Sequence, residues 1–160
     1  MNKIITIIII FLSNICFNQI LKTQFSNDFN TWKYENITFK TTFNNEYNQW
    51  SCNGVKITTR FNNDWDNWRI GNSTSLKTMF SNNFNSWEIT SKGNKIRIQT
   101  TFSNDKNRWN INGDVKGSIR TVFSNDINRW KINADFNTAS KEIKIAIIFI
   151  AIFSSLIDEF

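Results

Sequence analysis

Asp64 and Asp66 stand two residues apart, and two carboxylates held close together can share general acid–base work. Little else in the chain supports such chemistry. The sequence contains no His, which removes the usual proton shuttle, the base of a nucleophilic triad and the commonest metal ligand. Cys52 has no imidazole to activate it, and its place in an alternating apolar pattern puts it in a core. No catalytic residue and no cofactor are expected.

A second chemistry is cation binding. Asp28, Glu46, Asp64, Asn83, Asp105 and Asp126 recur at one position of a repeated segment and would share a rim. Rings of oxygen ligands hold Ca²⁺ where several carboxylates converge. Each segment supplies only one or two, and Asn and Asp are in any case the residues that tight turns prefer. The expectation is turn structure and no metal.

A third is recognition of an anion. The net charge is +6, a basic excess that suits an anionic partner. Lys40, Lys56, Arg60, Arg69, Lys77, Arg97, Arg120 and Lys131 fall at outward positions of an alternating pattern and form the candidate anionic-ligand surface. Outward charges also guard sheets against stacking, and no phosphate-cradling Gly-rich loop accompanies these. Phe29, Tyr47, Trp65 and Phe84 lie just past a turn on the parity opposite to the core and form a candidate exposed aromatic rim. Lys106 and Ile127 interrupt that series.

The element that must position all of these is a tandem repeat. Six segments match: Phe25–Trp32, Phe43–Trp50, Phe61–Trp68, Phe80–Trp87, Phe102–Trp109 and Phe123–Trp130. Each reads Phe, two small polar residues rich in Asn, an acidic or amide residue, and Trp seven residues after the Phe. Upstream of the Phe the chain alternates, as in Ile37, Phe39, Thr41 and Phe43 against Thr38, Lys40 and Thr42. A period of two with one apolar face is the mark of a half-buried strand. After the Trp comes Trp-x-Ile, as at Trp68/Ile70 and Trp87/Ile89.

A two-residue turn at Asn27-Asp28 sets Leu21 opposite Tyr34 and Thr23 opposite Trp32. Asn53-Gly54, a type I′ signal, sets Cys52 opposite Val55 and Trp50 opposite Ile57. Opposed residues share a face, so both turns support one register, with Phe, Trp, Ile and Thr on the apolar side. The expected fold class is all-β: twelve antiparallel strands in up-and-down order over residues 20–135.

Such a sheet leaves one face wet unless it is covered. The tail from Lys141 to Ile157 is apolar on nearly all sides past Lys144, so it must be buried. Its length favours a helix over residues 138–158, with Asp135, Asn137 or Ser140 as the N-cap; two further strands are the alternative. It is too short past Lys144 for a comfortable membrane span. A sheet of twelve strands closed on itself has room for a helix along its axis, and the expected architecture is such a barrel closed around the C-terminal helix. An outer-membrane barrel would need longer strands with the apolar face outward.

The twelve-strand count and the tail from Ile145 to Phe160 together resemble the tubby C-terminal domain, the phospholipid scramblases and the LURP-one-related proteins. The resemblance implies a barrel wrapped around a hydrophobic helix. It also implies binding of anionic lipid head groups by basic surface residues, with no particular position carried over.

Residues 1–19 carry Lys3, an apolar run from Ile4 to Leu12 and a short polar stretch, the shape of a secretory signal peptide. Residues 20–160 then form a single exported domain. Cys16 would suit lipid attachment, though Ser13-Asn14-Ile15 is a poor context for it. After cleavage Cys52 is the only thiol, so packing and not a disulfide holds the domain. The reading is a monomeric, non-enzymatic binding or structural module of the cell envelope, with anionic lipid or another envelope component as partner. Nucleic acid is not expected. An adhesin-like repeat protein is a further alternative.

Overall fold

The computed structural model describes residues 19–62 and 64–157. Apart from Gln19, the expected export signal lies outside them, as does Asp158 at the end of the expected helix. Twelve strands run as β1 (Ile20–Thr23), β2 (Thr31–Tyr34), β3 (Ile37–Phe43), β4 (Glu46–Cys52), β5 (Val55–Thr59) and β6 (Asn67–Ile70). They continue as β7 (Thr74–Thr78), β8 (Ser86–Ser91), β9 (Asn94–Thr100), β10 (Arg108–Gly113), β11 (Gly117–Thr121) and β12 (Arg129–Ala134). Each pairs antiparallel with its neighbours in sequence, and β1 pairs with β12, so the sheet is a closed barrel. One helix, α1 (Lys141–Leu156), follows.

The expected register holds. Leu21 faces Tyr34, Thr23 faces Trp32, Trp50 faces Ile57 and Cys52 faces Val55. The six Trp that end the motifs are all buried. They surround α1, with Trp68 and Trp50 edge-on to Phe149 at 4.9 and 5.8 Å and Trp87 edge-on to Phe153 at 5.1 Å. Each of these indoles donates to the carbonyl three residues back, from Trp32 to Phe29 through Trp130 to Ile127, at 2.6–3.2 Å. That bond lets a large polar ring sit in the core without an orphaned N–H.

The helix starts three residues later than expected because Ser140 caps it. Its Oγ accepts from the Ile143 amide at 3.2 Å, which fixes Lys141 as the first helical residue. From Ile145 to Leu156 every residue is buried. No described helix is long and apolar enough to cross a membrane.

The motif Phe residues depart from expectation. Phe25, Phe43, Phe61, Phe80, Phe102 and Phe123 are 57–65% exposed, not interior. The alternation ends at the Thr two residues earlier. Thr23, Thr59, Thr78, Thr100 and Thr121 are the last residues of their strands, and in β3 the register shifts between Thr41 and Phe43. Beyond that point the chain has left the ladder, and a period of two no longer assigns faces. The connection is also longer than a two-residue turn. The Phe carbonyl accepts from the amide three residues on, as from Asp28 to Phe25 at 3.2 Å and from Asp126 to Phe123 at 3.1 Å. The Asn inside that turn is left-handed, with φ of 56–63° at Asn27, Asn45, Asn82, Asn104 and Asn125, a conformation that Asn tolerates better than other side chains.

The aromatic residues expected on the rim exchange places with them. Phe29, Tyr47, Trp65 and Phe84 are half-buried and pack on the core. Phe29, Tyr47 and Phe84 stack on the following motif Trp at 6.0–6.1 Å, and Trp65 lies tilted beside Trp68 at 5.9 Å.

Candidate anion-binding surface

The rim turns are tied to one another through their Asn and Asp side chains. Asn30 accepts from Thr41 Oγ1 at 3.1 Å and from the Asn45 amide at 2.7 Å, and donates to Asn45 Oδ1 at 3.1 Å. Asp66 accepts from Thr78 Oγ1 at 2.9 Å and from the Asn82 amide at 3.0 Å. Asn85 reaches Asn104 and Asn107 reaches Asn125 at 3.0 and 3.3 Å. Asn128 returns to the first unit, accepting from Thr23 Oγ1 and the Asn27 amide and donating to Asn27 Oδ1 at 3.0–3.3 Å. This ladder accounts for the Asn or Asp two residues before the motif Trp in five of the six units. Asp64 accepts from Asn67 at 2.9 Å, so Asp64 and Asp66 are each engaged in separate local bonds. Among the described residues no three carboxylates or thiols come together as metal ligands do.

The strands carry the expected cations outward. Lys40, Lys56, Arg60, Arg69, Lys77, Arg97 and Arg120 are exposed, and Lys131 is half-buried. They fall into three settings. Lys77 and Arg97 flank Glu88 across the ladder, and Glu88 pairs with Lys95 at 2.8 Å and Arg97 at 3.9 Å, so this region is partly neutralised. Lys56, Arg60 and Arg69 line two clefts that meet at Arg69. One, of about 560 Å³, includes Lys56, Thr58 and Glu142; the other, of about 300 Å³, includes Arg60, Lys92 and the hydroxyls of Ser73, Ser75 and Thr90.

Arg120, Lys131 and Lys40 belong to the third setting, at the seam where the barrel closes. Arg108 lies directly opposite Arg120, and Arg120 opposite Lys131. One step along, Arg129 lies opposite Lys22, and Lys22 opposite Lys33. The run of strands from β10 through β12 and β1 to β3 carries seven Lys or Arg and no Asp or Glu. Lys22, Lys33, Arg108 and Arg129 were missing from the sequence-derived set. The alternation did place them outward, but nothing in sequence brings Lys22 to Arg129. Among the described residues only Arg129 of these has an acidic partner, Asp126 in the preceding turn at 2.6 Å. A groove of about 200 Å³ lies on this face between Arg108, Arg120 and Phe123, with Asp105, Asn107 and Ser124 along it.

Cys52 faces the interior, and burial pushes its thiol up to about 12 despite the opposing pull of Lys141. A thiol held protonated and buried is a poor nucleophile. In the folded protein Cys52 should resist iodoacetamide at pH 8 and become labelled on unfolding, read by mass mapping of its peptide. Rapid labelling under native conditions would mean that the barrel opens at β4.

The fold and surface define a closed twelve-strand antiparallel barrel filled by its own C-terminal helix, basic on one side. No protein family, no curated protein and no solved structure matches the chain.

Proposed function

We propose that this chain is an exported, non-enzymatic binding module of the cell envelope that holds polyanionic ligands on its closure seam. The observation that carries the reading is the pair of cross-strand rows, Arg108–Arg120–Lys131 and Arg129–Lys22–Lys33. Like charges directly opposed in a sheet are destabilising, and a face in which cations outnumber acids concentrates anions near it. Export is supported by the signal-like segment at the N-terminus. The sequence has no His, the commonest base for activating a nucleophile.

The test is equilibrium binding of the protein to inorganic polyphosphate and to polygalacturonate at low salt. Lys22→Ser with Arg120→Ser should weaken both at least tenfold, and raising ionic strength should weaken the parent in the same sense. Lys77→Ser with Arg97→Ser, on the neutralised side, should change binding less than twofold. Equal losses from both pairs of changes would sink the seam as the site.

A second reading is head-group recognition of the tubby-like kind, favoured by the barrel-around-helix architecture. It requires sedimentation with phosphatidylglycerol vesicles that the seam substitutions abolish.

A further inference from the structure

Five positions of the repeat have a structural account. The Thr is buried or half-buried at the strand end, the first Asn supplies the left-handed turn, and the acidic residue bonds locally. The second Asn or Asp ties neighbouring units, and the Trp fills the core. The Phe has none. All six motif Phe residues stand at the same rim and remain 57–65% exposed. A lone exposed apolar ring is ordinary, but six at one repeated position, in turns that do not need them for packing, are a surface feature of the fold. Successive Phe stand two strands apart, about 10 Å along the rim, too far to bury one another.

At the seam these rings meet the cation rows. Phe123 lines the groove beside Arg108 and Arg120, and Arg129 lies over its ring at 5.0 Å. One unit on, Phe25 follows the strand in which Lys22 faces Arg129. The Phe123 position offers an exposed ring, the cations Arg108 and Arg120, and amide, hydroxyl and carboxylate groups from the turns; Phe25 adds a second exposed ring one unit along, in the turn that follows Lys22.

We infer that the rim at Phe123 and Phe25 takes an acidic glycan, with sugar rings laid on the Phe faces and their carboxylates or sulfates on the seam cations. The inference rests on the proposed polyanion-binding role and names its ligand class. The weakly positive C–H face of a sugar ring meets the negative face of an aromatic ring. Asp105 in the groove can accept hydrogen bonds from sugar hydroxyls, which favours a glycan over single-stranded DNA, a strand that would use the same aromatic and basic groups but has no free ring hydroxyls.

The experiment compares Phe25→Ala with Phe123→Ala, as a double variant, against Phe80→Ala, whose unit sets Lys77 opposite Glu88 away from the seam. Probes are polygalacturonate, inorganic polyphosphate and a single-stranded DNA oligomer. The double variant should lose about tenfold in affinity for polygalacturonate and less than twofold for polyphosphate, and Phe80→Ala should lose less than twofold for either. Equal losses on both polymers, or none on polygalacturonate, overturn the glycan inference while leaving charge-driven binding intact. Tighter, Phe-dependent binding of DNA than of polygalacturonate also overturns it. If the parent binds neither polymer at low salt, the proposed function fails, and the inference with it.

Discussion

Phe149→Ala should destabilise the protein by about 3–5 kcal/mol, the usual cost of an aromatic-to-alanine cavity in a core. The site is chosen for what surrounds it. Phe149 is fully buried in the middle of α1 and lies edge-on to two motif Trp, Trp50 at 5.8 Å and Trp68 at 4.9 Å. Those Trp cannot follow the lost ring inward, because each indole is anchored to its own turn, Trp50 to Tyr47 and Trp68 to Trp65. The cavity therefore cannot collapse, which puts the cost toward the upper end of the range. Thermal unfolding followed by near-ultraviolet circular dichroism should show a midpoint lower by on the order of 10 °C. A shift of under 3 °C would mean that the helix contributes little to the barrel's stability.

The second large effect is expected at the N-terminal end of α1, where the helix is latched to the β6–β7 turn. Glu142 accepts from the amides of Asn72 and Ser73 at 3.1 and 3.3 Å and from the hydroxyls of Ser73 and Thr74 at 2.6 and 2.9 Å. A carboxylate in the first turn of a helix is also favoured by the helix dipole. Gly71, at φ +59°, makes room for it: a Cβ there would lie 2.1 Å from Glu142 Oε1. The clash falls on the end of a flexible side chain, so Gly71→Ala would displace the carboxylate instead of deforming the backbone.

The cost is then the lost latch, about 1.5–3 kcal/mol for bonds to a charged acceptor, plus about 1–2 kcal/mol for a left-handed Ala. Glu142→Ala alone should cost the latch only. In its background Gly71→Ala should cost only the backbone part, so the two changes are strongly non-additive. Additive losses in chemical denaturation would show that Gly71 acts independently of Glu142.

The same latch sets an acid dependence. Burial would raise the Glu142 pKa, but the bonds from Ser73, Asn72 and Thr74 outweigh it and hold the carboxyl below its ordinary value. A depressed carboxylate stabilises fully above the unfolded-state pKa, about 4.3, and loses that contribution as pH falls through the lower folded value. The parent should therefore lose more stability than Glu142→Gln on acidification below about pH 5.

Much of the barrel was legible because the repeat is so regular. Trp32 opposite Thr23 and Cys52 opposite Val55 follow from parity and two turns alone. The site was less legible, for two reasons. Parity fails where the ladder stops, so Phe25 and its equivalents were assigned inward although they project from turns, and Phe29 and its equivalents were assigned outward although they lie against the motif Trp. Outward cations are legible strand by strand, which gives a face but not its neighbours.

By itself the sequence determined the twelve strands, their register, the buried Trp rows and the need for an apolar segment to fill what they enclose. These follow from local periodicity and from the cost of exposing an apolar face, and both can be read along the chain. Only the tertiary structure decided which residues meet where β1 closes on β12, placing Lys22 beside Arg129, and that the motif Phe residues stand outside as a ring. Closure is a contact between chain ends, and exposure beyond a strand end depends on where the turn leaves the sheet. Neither leaves a period in the sequence.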